Sequence, residues 1–218
     1  MPTDKRTMLS RRRALGLAGM VGGAALLPGC SAVQLAGAPN TLYTLTPKST
    51  FDPAIPTADW QLLVELPVAA AGLDTTRIAL TENYLQLDYF AQAAWTERAP
   101  IMVQTLIVES FENSGRIISI GRETFGLRSD FVLKSELREF QADYVEGRRV
   151  RVGVNSKLVR NPQRAIIAGQ TFEQVADVQG DGFIDVVRAF DEALGDVMRD
   201  LVAWTLIEGQ NNWVAQPR

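Results

Sequence analysis

Apolar residues recur at intervals of three and four positions near the end of the chain, between residues 183 and 206. This spacing is typical of an amphipathic helix with one apolar stripe. We expect the stripe to cover a sheet, although it could instead dock a helix of a partner. The stripe consists of Phe183, Val186, Val187, Phe190, Leu194, Val197, Met198, Leu201 and Val202.

Apolar and polar residues alternate in three segments before this helix, at 130–145, 148–161 and 163–178. A period of two residues places successive side chains on opposite faces of a strand. Turn-forming residues separate the segments, first Gly147 and then Asn161-Pro162. The pattern therefore predicts an antiparallel meander with one polar face. Glu139 and Asp143 are expected on that solvated face.

Earlier strand-like segments lie at 42–47, 60–68 and 76–90. The segment "WQLLVELPV" is apolar at most positions and predicts a central strand that Pro67 closes. The segments "TRIALTEN" and "LQLDYF" predict two strands with a turn near Asn83. In the second of them, the alternation predicts one buried face, formed by Leu85, Leu87 and Tyr89.

A helix is predicted from Thr96, as its cap, to Gly115, with Pro100 in the first turn and a short strand following at 116–122. The elements together predict an α/β protein of the α+β type. We expect a single domain over residues 42–208, in which two helices cover a mixed, largely antiparallel sheet that contains the meander. Residues 209–218 are interpreted as a C-terminal tail.

The first residues follow a different pattern, with five basic side chains before an apolar run from Ala14 to Leu27. A basic head and a short apolar run are typical of a secretory signal, here residues 1–29. The alternative, a buried core helix, does not fit the basic head. Arg11 and Arg12 lie in "SRRRAL", which is similar to a twin-arginine signal, and ordinary secretory export remains open as well.

Cys30 is the only cysteine and ends the stretch "LLPGC". Its neighbours Leu27, Pro28 and Gly29 resemble a bacterial lipobox. Proteins with this pattern receive a diacylglycerol on the sulfur and an N-acyl chain of the palmitate type on the new amino group. Several acyl chains bind a bilayer almost permanently. The alternative is a buried free thiol. Serine rather than aspartate at position 31 favours the outer membrane.

Residues 30–41 are predicted to be the lipidated cysteine and a flexible tether, which reaches roughly 18 Å. Removal of the leader would take away five basic residues and one acidic residue, so the net charge would change from −3 to −7. A domain this acidic is a poor nucleic-acid binder. We therefore expect the anchor alone to hold the protein at the periplasmic face of the membrane.

The composition also limits the chemistry of the chain. The sequence contains no histidine, which removes the commonest general base and metal ligand. A calcium-like loop begins at Asp177, but its twelfth position is Arg188, which cannot ligate a cation. We predict no enzyme activity, no metal site and no cofactor beyond the acyl groups on Cys30.

The order of several short motifs resembles the ABC-type transport auxiliary lipoprotein family. The likeness covers residues 42–206. It implies a non-catalytic auxiliary component of an intermembrane lipid transport system, with an MCE-domain protein and an ABC permease and ATPase as partners. The motifs are "LYTLTP", "LPVAAAGLDTTRIAL", "LQLDYFAQAAWTERAP", the meander and "LVAWTL".

The segment 84–100 is the hypothesised docking region, with Tyr84, Tyr89, Phe90 and Trp95 as aromatic contacts to a partner or to a second copy in a homo-oligomer. The same aromatic side chains could instead fill the core. Other functions remain open at this point. They are a lipid carrier with its own hydrophobic cavity, an outer-membrane assembly lipoprotein and, less consistent with the length, a solute-binding protein.

Overall fold

The computed structural model describes residues 41–122 and 128–213. They form nine strands and two helices in one α+β fold, which confirms the predicted fold class. The strands are β1 (Thr41–Tyr43), β2 (Leu62–Val64), β3 (Val68–Ala69), β4 (Arg77–Asn83), β5 (Gln86–Trp95), β6 (Ile120–Arg122), β7 (Phe131–Asp143), β8 (Arg149–Arg160) and β9 (Ala165–Asp177), and the helices are α1 (Ala99–Ser114) and α2 (Phe183–Asn212).

Strand β7 is the centre of the mixed sheet. Along one edge it pairs with β8 in antiparallel register, and β8 pairs in turn with β9. Along its other edge it pairs in parallel with three separate segments, β2, β3 and β4. Beyond these, β6 lies next to β2, while β5 and then β1 extend the sheet from β4.

The predicted meander is confirmed, with its turns at Gly147 and at the cis Asn161–Pro162 bond. Gly147 has a φ of 129°, which side-chain-bearing residues rarely adopt. The predicted single strand at 60–68 is instead two strands, β2 and β3, because Pro67 has no backbone N–H to continue the pairing.

The caps and bounds of the two helices differ in part from those predicted. The N-cap of α1 is Arg98 and makes no side-chain cap, so the prediction of Thr96 is wrong. Pro100 lies in the first turn, and Gly115 ends the helix in the left-handed region at φ 61°. Helix α2 extends beyond the predicted end at 206, to Asn212.

A single hydrophobic core lies between the helices and the sheet. Helix α2 packs mainly on β8 and β9, and its Phe190 contacts Trp95 and Phe140 from two strands. Helix α1 is joined to β2 by a bond in which Gln104 Nε2 donates to the carbonyl oxygen of Val64 at 3.0 Å. The apolar stripe of α2 therefore covers the sheet, as predicted.

The β4–β5 hairpin differs from its predicted burial. Its turn is bound as expected, since the Leu85 N–H donates to the side chain of Asn83. However, Leu85 is 95% exposed and Leu87 is 39% exposed, so the predicted buried face is wrong at these two positions. The physical reason is that β4 pairs with β7 only at residues 79–81, and the end of the hairpin extends beyond this support.

Candidate partner surface

The hypothesised docking segment, residues 84–100, runs from the exposed end of the hairpin into the core. Trp95 is 1% exposed, and its ring packs edge-on against Phe190 at 5.1 Å and tilted against Phe140 at 5.5 Å. A side chain in this position has no surface to offer a partner. We therefore correct its assignment from docking contact to core residue.

Tyr89 is half-buried and serves the hairpin itself. Its hydroxyl group donates to the carbonyl oxygen of Gly72 at 3.0 Å, and the guanidinium of Arg77 lies 3.4 Å from the ring centroid. Phe90, on the opposite side of the strand, packs against Phe183 at 4.9 Å. Both rings hold the hairpin to the domain.

Tyr84 lies at the exposed end of the hairpin, next to the turn between β7 and β8. Its hydroxyl donates to Glu146 Oε1 at 2.6 Å, which joins the two turns. Glu146 also accepts from Arg149 Nη2 at 2.6 Å. The hydrogen bond from Tyr84, followed by the contact with Arg149, lowers the pKa of Glu146. The same bond raises the pKa of Tyr84.

Asp143 is the buried member of this network, although the alternation placed it on the solvated face. Only 5% of its side chain is exposed. It accepts from Arg151 Nε at 2.9 Å, from Val145 N at 3.0 Å and from Arg149 Nε at 3.2 Å. Burial alone would raise the pKa of Asp143, but these three donors outweigh it and lower the pKa.

We call the exposed side chains Tyr84, Leu85 and Leu87 the hairpin-end surface. Tyr84 is 67% exposed, and the two leucines beside it are exposed as described above. A rigid aromatic ring beside exposed apolar side chains is a common composition for a protein contact. The hydrogen bond to Glu146 joins Tyr84 of this surface to the turn between β7 and β8.

The calcium-like loop at residues 177–188 forms the end of β9 and the start of α2, whose N-cap is Gly182. Asp185 accepts from the backbone N–H of Gly182, at 3.1 Å, and so binds one of the free N–H groups at the start of α2. Asp185 also accepts from Arg188 at 2.7 Å. Within residues 41–122 and 128–213 there is no cluster of His, Cys, Asp or Glu that could hold a metal ion.

The predicted anchor lies outside the described residues. This applies to Cys30, to Leu27, Pro28 and Gly29 beside it, and to Arg11 and Arg12. Among the helices that the structure does describe, none is both long and apolar enough to cross a bilayer.

Sequence reasoning missed the link between Tyr84 and Glu146 and the burial of Asp143. The first joins residues 62 positions apart, and periodicity does not report such contacts. For Asp143, one signal was present in the sequence. Arg149 and Arg151 occupy alternate positions of the next strand, and antiparallel pairing across the short turn at Gly147 brings them to the carboxylate.

Comparison with known proteins identifies the family and several similar proteins. A family model described as the ABC-type transport auxiliary lipoprotein component matches residues 43–202. An uncharacterized protein of Bradyrhizobium diazoefficiens is 26% identical over 186 residues, which are 84% of this chain and 50% of that protein. The chain thus spans about half the length of this curated relative.

Among the solved structures, a crystal structure of a protein from Xanthomonas campestris has 33% identity and a TM-score of 0.75. The similarity covers 79% of this chain and 98% of that one. A further crystal structure, of an uncharacterized protein, has a TM-score of 0.58 at 16% identity and therefore shows the fold alone.

Proposed function

Because this chain belongs to the ABC-type transport auxiliary lipoprotein family, we propose that it is the anchored, non-catalytic component of an intermembrane lipid transport system. Its partners are an MCE-domain protein and an ABC permease with its ATPase. The protein lies on the periplasmic face of the outer membrane. The observation that carries this proposal is the family match over residues 43–202, which covers most of the described domain and does not depend on the leader.

The anchor follows from Cys30 and its lipobox. Diacylglycerol on the sulfur and an N-acyl chain fix the end of the tether to the bilayer, and the tether lets the domain reach a partner in the periplasm. Mass spectrometry of the protein from its host tests this step. We expect a chain that begins at Cys30 and carries both modifications, whereas an intact leader with a free thiol would contradict the anchor.

A docking role is also consistent with how the domain is filled. The space between helices and sheet contains fully buried side chains such as Phe111, Val152 and Leu201. The hairpin-end surface, in contrast, leaves apolar side chains in water. This contrast favours contact with another protein over storage of lipid between the helices and the sheet, which was the main alternative.

Capture of the MCE-domain protein from host membranes tests the docking role. Leu85→Asp places a charge in the hairpin-end surface, and we expect capture to fall by at least about tenfold, as for a central contact residue. Ile118→Asp is the matched control, because Leu85 and Ile118 are both 95% exposed. If Leu85→Asp captures as much MCE-domain protein as the unmodified protein does, docking through the hairpin end is contradicted. If both variants lose capture to the same extent, the loss is a general effect of added charge and the docking site is likewise contradicted.

A further inference from the structure

A row of four apolar side chains crosses the sheet face that points away from the helices. Leu63 of β2 pairs with Val132 of β7, Val132 with Val159 of β8, and Val159 with Ile166 of β9. Each residue is directly opposite the next in the strand register. Since neighbouring strands lie about 4.8 Å apart, the row extends over about 14 Å.

The row forms the floor of a surface groove. Val132 and Val159 are 6% and 5% exposed, yet neither belongs to the core between helices and sheet. Ile166, at the far end, is 62% exposed. The groove has a volume of about 660 Å³, which lies within the roughly 300–1,000 Å³ of small-molecule sites.

The rim of the groove carries positive charge, although the chain as a whole is acidic. Lys134 and Lys157 face each other directly across β7 and β8. Glu65 pairs with Lys134 at 2.7 Å. In the described part of the chain, Lys157 and Arg164 take part in no ion pair. Glu65 compensates the charge of Lys134, so Lys157 and Arg164 are the cations of the rim that remain available to an anion.

Arg164 adds an independent sign of function. It lines the groove from the turn between β8 and β9, with a φ of 56° in the left-handed region. Glycine is the usual residue for that conformation, and other residues there cost about 1 kcal/mol or more. Position 164 thus carries a cationic side chain although its backbone conformation favours glycine.

We propose that this groove binds an anionic amphiphile. Its apolar chain lies along the row from Leu63 to Ile166, and its negative headgroup is held at the rim by Lys157 and Arg164. A fatty-acid carboxylate and a phospholipid phosphate share this chemistry. The auxiliary role in transport does not require such a site, and the inference rests on the fold rather than on that role.

Calorimetric titration tests which ligand chemistry the groove binds. The protein is used as processed in its host and is kept soluble with an amphipathic polymer. The probes are monododecyl phosphate, laurate and dodecyl maltoside, each below its critical micelle concentration, and inorganic phosphate. We expect saturable binding of the first two and binding at least about tenfold weaker for the anion or the uncharged chain alone. The ratio of laurate to dodecyl phosphate affinity identifies the preferred headgroup. Equal binding of dodecyl maltoside, or no saturable binding of either anionic probe, would overturn the proposal.

Variants then locate the site. Arg164→Gly and Lys157→Ala each remove a charge without breaking an ion pair of the described part of the chain, and we expect each to weaken dodecyl phosphate binding by about tenfold, as for one charge-assisted hydrogen bond. Ile166→Ser should also weaken dodecyl phosphate binding, because it removes apolar surface from the floor of the groove. The control is Arg138→Ala, an exposed cation that is paired with Glu136 on the same strand.

Equal weakening by the control would assign the effect to general charge and overturn the site. A synthetic peptide of alternating Asp and Leu residues that binds through Arg164, while dodecyl phosphate does not bind, would assign the groove to a protein partner and also overturn it. None of these titrations contains the MCE-domain protein, so their outcome is independent of the docking experiment.

Discussion

The indole ring of Trp60 lies directly against Gly209 of α2. A Cβ atom at position 209 would overlap the six-membered ring of the tryptophan. Trp60 is 1% exposed and packs edge-on against Phe131 at 5.0 Å, so the ring is held within the core. The last turns of α2 can approach the sheet only because this position has no side chain.

Gly209→Ala should therefore destabilise the protein, although alanine is the better helix former. Overpacking of a filled core costs about 1–3 kcal/mol, against a gain of about 1 kcal/mol in helix propensity. Gly195→Ala, in the same helix, is the matched control. Its new Cβ would meet only Lys48 Cδ, at 3.8 Å, so we expect this variant to gain stability. Urea denaturation measures both, and a more stable Gly209→Ala protein would contradict the contact.

Asp143→Ala should lower the free energy of unfolding by about 3 kcal/mol at pH 7, because Arg149 and Arg151 lose their shared buried partner. The folded-state pKa of Asp143 is lowered, so its contribution is complete above the unfolded-state pKa of about 3.9 and is lost as the pH falls through the folded-state value. Urea denaturation between pH 7 and pH 2 measures this. The variant should be less stable at pH 7 and lose less stability on acidification than the unmodified protein.

The control for that experiment is Glu136→Ala. Glu136 pairs with Arg138 at the surface, with both side chains about half exposed. Exposed pairs contribute about 0–1 kcal/mol, so stability and its acid dependence should stay near those of the unmodified protein. If the free energy of unfolding falls equally on acidification in the unmodified protein, Asp143→Ala and Glu136→Ala, then Asp143 is not the source of the acid dependence.

Tyr84→Phe should raise the pKa of Glu146 towards its ordinary value, because the hydroxyl group of Tyr84 is the main cause of the lowered pKa. An NMR titration of the Glu146 side-chain carboxyl measures this directly. A pKa of Glu146 that does not move would show that the two turns are not joined in solution.

Trp95→Ala should destabilise the fold by about 3–5 kcal/mol, as for other large aromatic residues removed from a core. Tyr84→Ala should change stability little, since the ring is mostly in water. Thermal unfolding compares the two variants, and capture of the MCE-domain protein at a temperature where both are folded separates packing from docking. Normal stability of Trp95→Ala with a selective loss of capture would restore the docking role of Trp95.

The parts of the fold that depend on local pattern could be predicted from the sequence. The alternation around Val150 and Val152 and the stripe that contains Phe190 identified the meander and α2, because each pattern repeats within one segment. Pairings between distant segments could not be predicted in this way. The contact of Leu63 with Val132 joins residues whose relation depends on sheet order, and the exposure of Leu85 depends on where β7 ends its support of β4.

The three parallel segments along one edge of β7 also determine the order in which the chain can fold. The β7-facing edges of β2, β3 and β4 have no hydrogen-bonding partner until residues 131–143 have emerged, because β7 comes later in the sequence than all three. Contacts of such high sequence separation make folding slow and leave strand edges open to wrong pairing. We therefore expect a chain that stops short of Phe131 to leave the β7-facing edges of β2, β3 and β4 unpaired and open to aggregation, rather than to form a partly working domain.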